Sequence, residues 1–210
     1  MSRKSLSLKR SNRPNPNSRD QRKRFLIVCE GETEKTYFNQ FRVSKKIVSV
    51  GGGSPLDVVR KAHQILQQEG QDAYSAVWCV FDRDETPPTA EQFGAALNKA
   101  QESGFAVAYS NPCFEVWYLF HFVACHAHGW LTCSDCHKQL ESHIGQPYAK
   151  NSRTIEQVST ICERHQATAI QHAAQLIEQY AHHDPSTDNP CTTVHKLVVA
   201  ILHALPRATR

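Results

Sequence analysis

FLIVCEGETEKTYF, residues 25–38, and AVWCVFDRDET, residues 76–86, decide the reading of this chain. Each opens as a short apolar run rich in β-branched or aromatic residues and stops abruptly at acidic ones. A buried parallel strand that delivers carboxylates to a sheet rim has this pattern. Ligands of open α/β sheets bind just beyond the carboxyl ends of the strands. Glu30, Asp82 and Asp84 are therefore expected to meet at one edge. Three carboxylates repel each other there unless a hard cation such as Mg²⁺ or Mn²⁺ neutralises them.

Outward from these two stretches, strand and helix signals alternate. Strands are predicted at 24–29, 45–50, 75–81 and 105–109, and helices near 32–42, 55–69, 89–102 and 112–124. Such alternation specifies an α/β fold with a parallel sheet flanked by helices, here over residues 24–124. From 125 to 210 the pattern is helical only: 134–143, a long segment at 152–182 and a last helix at 192–204, read as an extension packed on the core. Ile155, Val158, Ile161 and Cys162 give the three-four spacing of a buried stripe, and Val194, Leu197, Val198 and Ile201 repeat it. Between them HHDPSTDNP, residues 182–190, reads as a loop.

The net charge of +4 is unevenly distributed. Residues 1–24 hold nine Lys or Arg against Asp20 alone, whereas the other 186 residues carry fifteen basic and nineteen acidic side chains. Residues 1–23, poor in apolar side chains, are expected to be a disordered basic tail, either a nucleic-acid arm or a solubilising leader. No stretch approaches the roughly 18–20 apolar residues of a bilayer span. The basic leader runs into Glu30 without a signal-peptide core, so a cytoplasmic protein with mostly reduced cysteines is expected.

Every predicted strand ends in chemically useful residues. In an extended segment Asp82 and Asp84 share a face and Arg83 points elsewhere. Glu34, one helical turn beyond Glu30, is a further ligand or base, or an exposed first-turn acid favoured by the helix dipole. The turn Gly51-Gly52-Gly53-Ser54-Pro55 offers backbone N–H groups of Gly52 and Ser54 to a phosphate, or is a plain tight turn. In Ser110-Asn111-Pro112-Cys113-Phe114-Glu115, Asn111 reads as a helix cap and Pro112 as the first helical residue, which puts Glu115 in the first turn near the same rim.

CEGETEKTYF, GGGSP, VFDRDE, SNPCFEVWYLFHF, Tyr148 with Lys150 and a closing NP–LV helix together resemble the RloB-like family of bacterial TOPRIM proteins associated with anti-phage abortive infection. The resemblance covers nearly the whole chain after the tail. It implies a TOPRIM (Rossmann-like) fold in which Glu30, Asp82 and Asp84 form a catalytic, Mg²⁺-binding centre. The implied activity is metal-dependent cleavage of nucleic-acid phosphodiesters, DNA or RNA, with tRNA a plausible target. Glu34, Glu85 or Glu115 would supply further oxygens. Lys150 of the family's Tyr-x-Lys would balance the scissile phosphate, and Gly52, Ser54 and Asn111 would contact substrate. A homodimer, or an activator or sensor protein, is compatible with this reading.

One cluster departs from the family pattern. Cys125, His126, His128, Cys133, Cys136 and His137 crowd into thirteen residues. Cys133 and Cys136 have the spacing of half a zinc knuckle, which His126 and His128, or Cys125, would complete; unligated thiols are the alternative. Two other functional classes remain open. Asp82-Arg83-Asp84-Glu85-Thr86 matches the D-x-D-x-T of haloacid-dehalogenase phosphatases. A non-catalytic nucleic-acid-binding or regulatory module would use the basic tail alone. The turn after the first strand, E-G-E-T-E, is not G-x-G-x-x-G, which disfavours a dinucleotide enzyme.

Overall fold

The computed structural model describes residues 24–84 and 89–205. The basic tail and Glu85 with Thr86 lie outside the described residues. The elements are β1 (Arg24–Cys29), α1 (Glu32–Asn39), β2 (Lys45–Ser49), α2 (Pro55–Glu69), β3 (Tyr74–Asp82), α3 (Ala90–Glu102) and β4 (Ala106–Asn111). They are followed by α4 (Glu115–Leu119), α5 (Cys133–Ile144), α6 (Ser152–Glu163), α7 (Gln166–Gln179), β5 (Cys191–Thr192) and α8 (Val194–Ala204).

Five of the six residues of β1 are buried, because β1 lies between β2 and β3 and is covered on both faces. Leu26 and Val28 enter one core with Val58, Val59, Phe93 and Ala96, so α2 and α3 cover that face. Ile27 and Cys29 enter the other with Phe38, Trp117, Val158 and Leu197. The two-residue alternation of a strand thus divides one apolar run between two layers.

The sheet order is β2-β1-β3-β4-β5, with the first four strands parallel and β5 antiparallel to β4. After β2 the chain returns to the opposite side of β1, so the winding reverses between β1 and β3. The carboxyl ends of these two strands carry Glu30 and Asp82. The acidic residues therefore sit at the crevice where open α/β sheets receive their ligands.

The α/β expectation holds, with differences in the second half. The helix predicted at 112–124 is regular only over α4, because Asp82 takes the Phe114 N–H at its start and Asn111 ends β4 instead of capping. The helical segment predicted at 152–182 is interrupted at Arg164 and His165. Ile155, Val158 and Cys162 of α6 face α1 and α4, whereas Ala169, Ala173 and Leu176 of α7 serve α4, β5 and α8; one straight helix cannot present both stripes. The two-residue β5 was not expected. It pairs Cys191 with Asn111 and Thr192 with Ser110, tying the helical half to the site-bearing edge of β4. Among the described residues no helix is long and apolar enough to cross a membrane.

Candidate active site

Glu30 follows β1 directly, and its Oε2 accepts the backbone N–H of Asp82 at 3.2 Å across the β1–β3 pair. Asp82 is 8% exposed. Its Oδ2 accepts the Phe114 N–H at 2.9 Å, while Oδ1 is buried without a hydrogen-bond partner. Glu34, which the sequence left open between ligand and exposed acid, is buried. Gly31 permits its approach: a Cβ at position 31 would stand 3.0 Å from Glu34 Oε2.

These carboxylates raise one another's affinity for protons. Burial, opposed by the Asp82 N–H and reinforced by the charges of Asp84 and Glu34, raises the Glu30 carboxyl to about 8. Burial and the charge of Glu115 raise Glu34 to about 7. Asp82 lies well above the usual carboxylate range, through burial and then the charges of Glu34, Asp84 and Glu30. Without a cation the rim therefore tends to hold protons, which a bound divalent ion would displace.

Asp84 adopts φ +47°, so the chain is not extended there and the alternation expected for Asp82 and Asp84 fails. Its backbone N–H donates to Pro112 O at 2.9 Å, and its Oδ1 lies 4.0 Å from Cys133 Sγ. Arg83 does turn elsewhere: Nε donates to Ser186 O at 3.0 Å and Nη1 to Asp84 O at 3.1 Å.

Glu115 is fully buried at the start of α4. Tyr148 donates its hydroxyl to Glu115 Oε1 at 2.8 Å, and Lys150 Nζ lies 3.3 Å from the same oxygen. Although burial opposes it, His137, Lys150 and Tyr148 together hold the Glu115 carboxyl down at about 2. In turn Lys150, half exposed, is held protonated against its own desolvation by Glu115 and Asp82. Tyr148 and Lys150 therefore meet at the acidic rim through Glu115.

The Gly-rich turn takes the tight-turn form of its two readings. Gly52 N–H donates to Glu30 O at 3.0 Å, Gly51 N–H to Ser49 Oγ at 3.0 Å and Ser54 N–H to Asp57 Oδ2 at 2.9 Å. Donors expected for a phosphate at Gly52 and Ser54 are used to close the turn and cap α2. Asn111 likewise donates Nδ2 to Asp188 O at 2.9 Å. It also lines a cavity of about 310 Å³ with Arg83, Asp84, Trp130, Thr132 and Ser186. Trp130, 69% exposed, escaped the sequence reading. A lone Trp in a polar loop carries no periodic signal, and only the fold sets it beside Asp84.

The cysteine and histidine residues also assort differently. Among the described residues, the group of three or more potential ligands whose donor atoms all lie within 4.8 Å of one another is Cys113, Glu115 and His137. His128, expected as a zinc ligand, instead packs edge-on against Tyr180. His126 is placed in the same loop, and no group of three forms from Cys133, Cys136, His126 and His128.

A model of the RloB-like protein family matches residues 25–201. The chain belongs to the RloB-like family. The match begins at β1 and ends within α8, so it takes in the acidic rim, the Tyr148–Lys150 pair and the helical half of this RloB-like chain. No curated protein and no solved structure shows significant similarity to it.

Proposed function

We propose that this RloB-like chain is a TOPRIM-type, metal-dependent nuclease that cleaves nucleic-acid phosphodiesters in the cytoplasm as part of anti-phage defence, with RNA such as tRNA a candidate target. The observation that carries this reading is Asp82: a buried carboxylate at the sheet's switch point, with one oxygen unsatisfied and four further carboxylates raising its proton affinity. Natural proteins leave few buried polar atoms unpaired, and such atoms mark ligand positions.

Hard oxygen donors suit Mg²⁺ or Mn²⁺, and Glu30, Asp82 and Asp84 are the residues that would hold it. Their oxygens are not gathered within 4.8 Å as a set, as mutual repulsion dictates for uncompensated carboxylates. A bound divalent ion would polarise a phosphoryl oxygen and activate water. The protein's own groups do the remaining work. Lys150, fixed by Glu115, presents a permanent positive charge toward a phosphate, and Tyr148 holds Glu115 in place. Glu34, raised to about 7 by burial and the charge of Glu115, is suited to moving a proton. Trp130 offers a face on which a base can stack beside Asp84.

The phosphatase reading requires Asp82 as an accessible nucleophile, and its burial and its bond to Phe114 weigh against that. The deciding experiment is cleavage of total RNA, tRNA, plasmid and single-stranded DNA with Mg²⁺, Mn²⁺ or EDTA, comparing wild type with Asp82→Asn. Metal-dependent cleavage lost in the variant is expected. Binding without cleavage by the wild type under every condition would favour the non-catalytic module.

A further inference from the structure

Beside the acidic rim lies a donor set of different chemistry, which shares only Glu115 with the nuclease reading. Cys113 follows β4, Glu115 opens α4, and His137 sits in the first turns of α5. Their ligand atoms all fall within 4.8 Å of one another. Bonds to tetrahedral zinc of about 2.0–2.3 Å place ligands roughly 3.3–3.8 Å apart, so small side-chain rotations would close the set around one ion.

Two of the donors are buried and unsatisfied. Glu115 Oε1 is engaged by Tyr148 and Lys150, but Oε2, in a residue with no exposure, has no partner. His137 Nε2 is also buried without a hydrogen bond, 3.7 Å from Glu115 Oε1. A helical packing interface has no need of a carboxylate and an imidazole that each keep a buried polar atom unpaired within one such donor set. A fourth donor is at hand just outside the 4.8 Å set: Cys136, which precedes His137 on α5, is fully buried in the same core as Cys113.

We propose that Cys113, Glu115, His137 and Cys136 form a structural zinc site that fastens α5 to the rim of the sheet. Sulfur and imidazole donors select a borderline-soft ion over Mg²⁺, which distinguishes this site from the all-oxygen rim. On binding, Cys113 and Cys136 release their thiol protons to solvent and His137 binds as neutral imidazole. The ion fixes the start of α5, where Cys133 stands 4.0 Å from Asp84 Oδ1, so this site also sets one wall of the acidic crevice.

The test uses the full chain purified under reducing conditions and dialysed against metal-free buffer. Elemental analysis should find one zinc per chain. Replacement by Co²⁺ should give the visible bands of tetrahedral coordination with thiolate-to-metal charge transfer, and chelation should lower the melting temperature. Zinc should also protect Cys113 and Cys136 of the wild type from alkylation, read by peptide mass spectrometry. Cys113→Ser and His137→Ala should lose the metal, whereas Asp82→Asn and Cys133→Ser should keep it. A folded wild type that takes up no stoichiometric zinc or cobalt overturns the proposal. Metal lost in Asp82→Asn but retained in Cys113→Ser overturns it equally.

Discussion

Asp82 and Phe114 are joined across the rim: one carboxylate oxygen of the last residue of β3 accepts the backbone N–H that precedes α4, at 2.9 Å, and leaves the other oxygen buried and unpaired. This bond fixes both the direction of the carboxylate and the point where the helix begins. It makes Asp82 a residue with one structural oxygen and one available oxygen.

Asp82→Asn separates these roles. The amide retains an oxygen for Phe114 N–H and removes the charge that Glu30, Glu34 and Asp84 oppose. Cleavage is expected to fall on the order of a hundredfold or more. The metal-free protein is expected to melt at the same temperature as wild type or above it, because one of several repelling charges is gone. A cleavage assay and a thermal melt in EDTA check the two halves. Unfolding of this variant would show that the cluster serves the fold.

Tyr148 and Lys150 act on the rim through Glu115, and their substitutions should differ. Tyr148→Phe removes the hydroxyl that satisfies a buried carboxylate oxygen, which costs about 1–3 kcal/mol, visible in denaturant unfolding. Lys150, half exposed, is replaceable by Met with a smaller loss of stability. Its cleavage rate is expected to fall on the order of 10- to 100-fold, without rescue by excess Mg²⁺.

Much of this arrangement was legible in the sequence because the strands announce it. Phe25–Cys29 and Val77–Phe81 are apolar runs that end in acids, and a parallel sheet carries both ends to one side. What stayed hidden depends on the third dimension. Cys113 and His137 meet only because α4 packs on α5, so the local spacing of Cys133 and Cys136 pointed to other histidines. The left-handed turn at Asp84 broke an alternation that assumed extended backbone. At two residues, β5 is too short to show a strand period. The Gly51–Gly53 turn revealed its flexibility in sequence, but not that its N–H groups are used by Glu30 and Ser49.

Trp130→Ala tests whether the cavity beside Asp84 receives bases. Because the ring is largely exposed, stability should change by no more than about 0.5 kcal/mol. Lost stacking should weaken single-stranded nucleic-acid binding by about 1–3 kcal/mol and raise KM more than it lowers kcat. Fluorescence anisotropy with a short labelled oligonucleotide, read beside steady-state cleavage, separates the two effects.

Two buried histidines oppose the rim carboxylates in the response to acid: protonating Glu30 and Glu34 favours the fold as pH falls, whereas protonating His121 and His195 disfavours it. His121 and His195 are buried, and desolvation lowers both to about 4, with nearby His165 and His172 acting further on His121 and Lys196 on His195. Unfolded, each would titrate near 6.5, so between about 4 and 6.5 the unfolded chain binds more protons. Their neutral burial contributes fully above the unfolded value, and that contribution is lost as pH falls through this window, up to about 3 kcal/mol for each. His121 Nδ1 lies 2.9 Å from Trp117 O, so the neutral ring donates there. His121→Asn preserves a donor and removes the titration. In denaturant unfolding from pH 7 to 4.5 the variant is expected to gain stability relative to wild type as pH falls. An unchanged slope would assign the acid sensitivity to other groups.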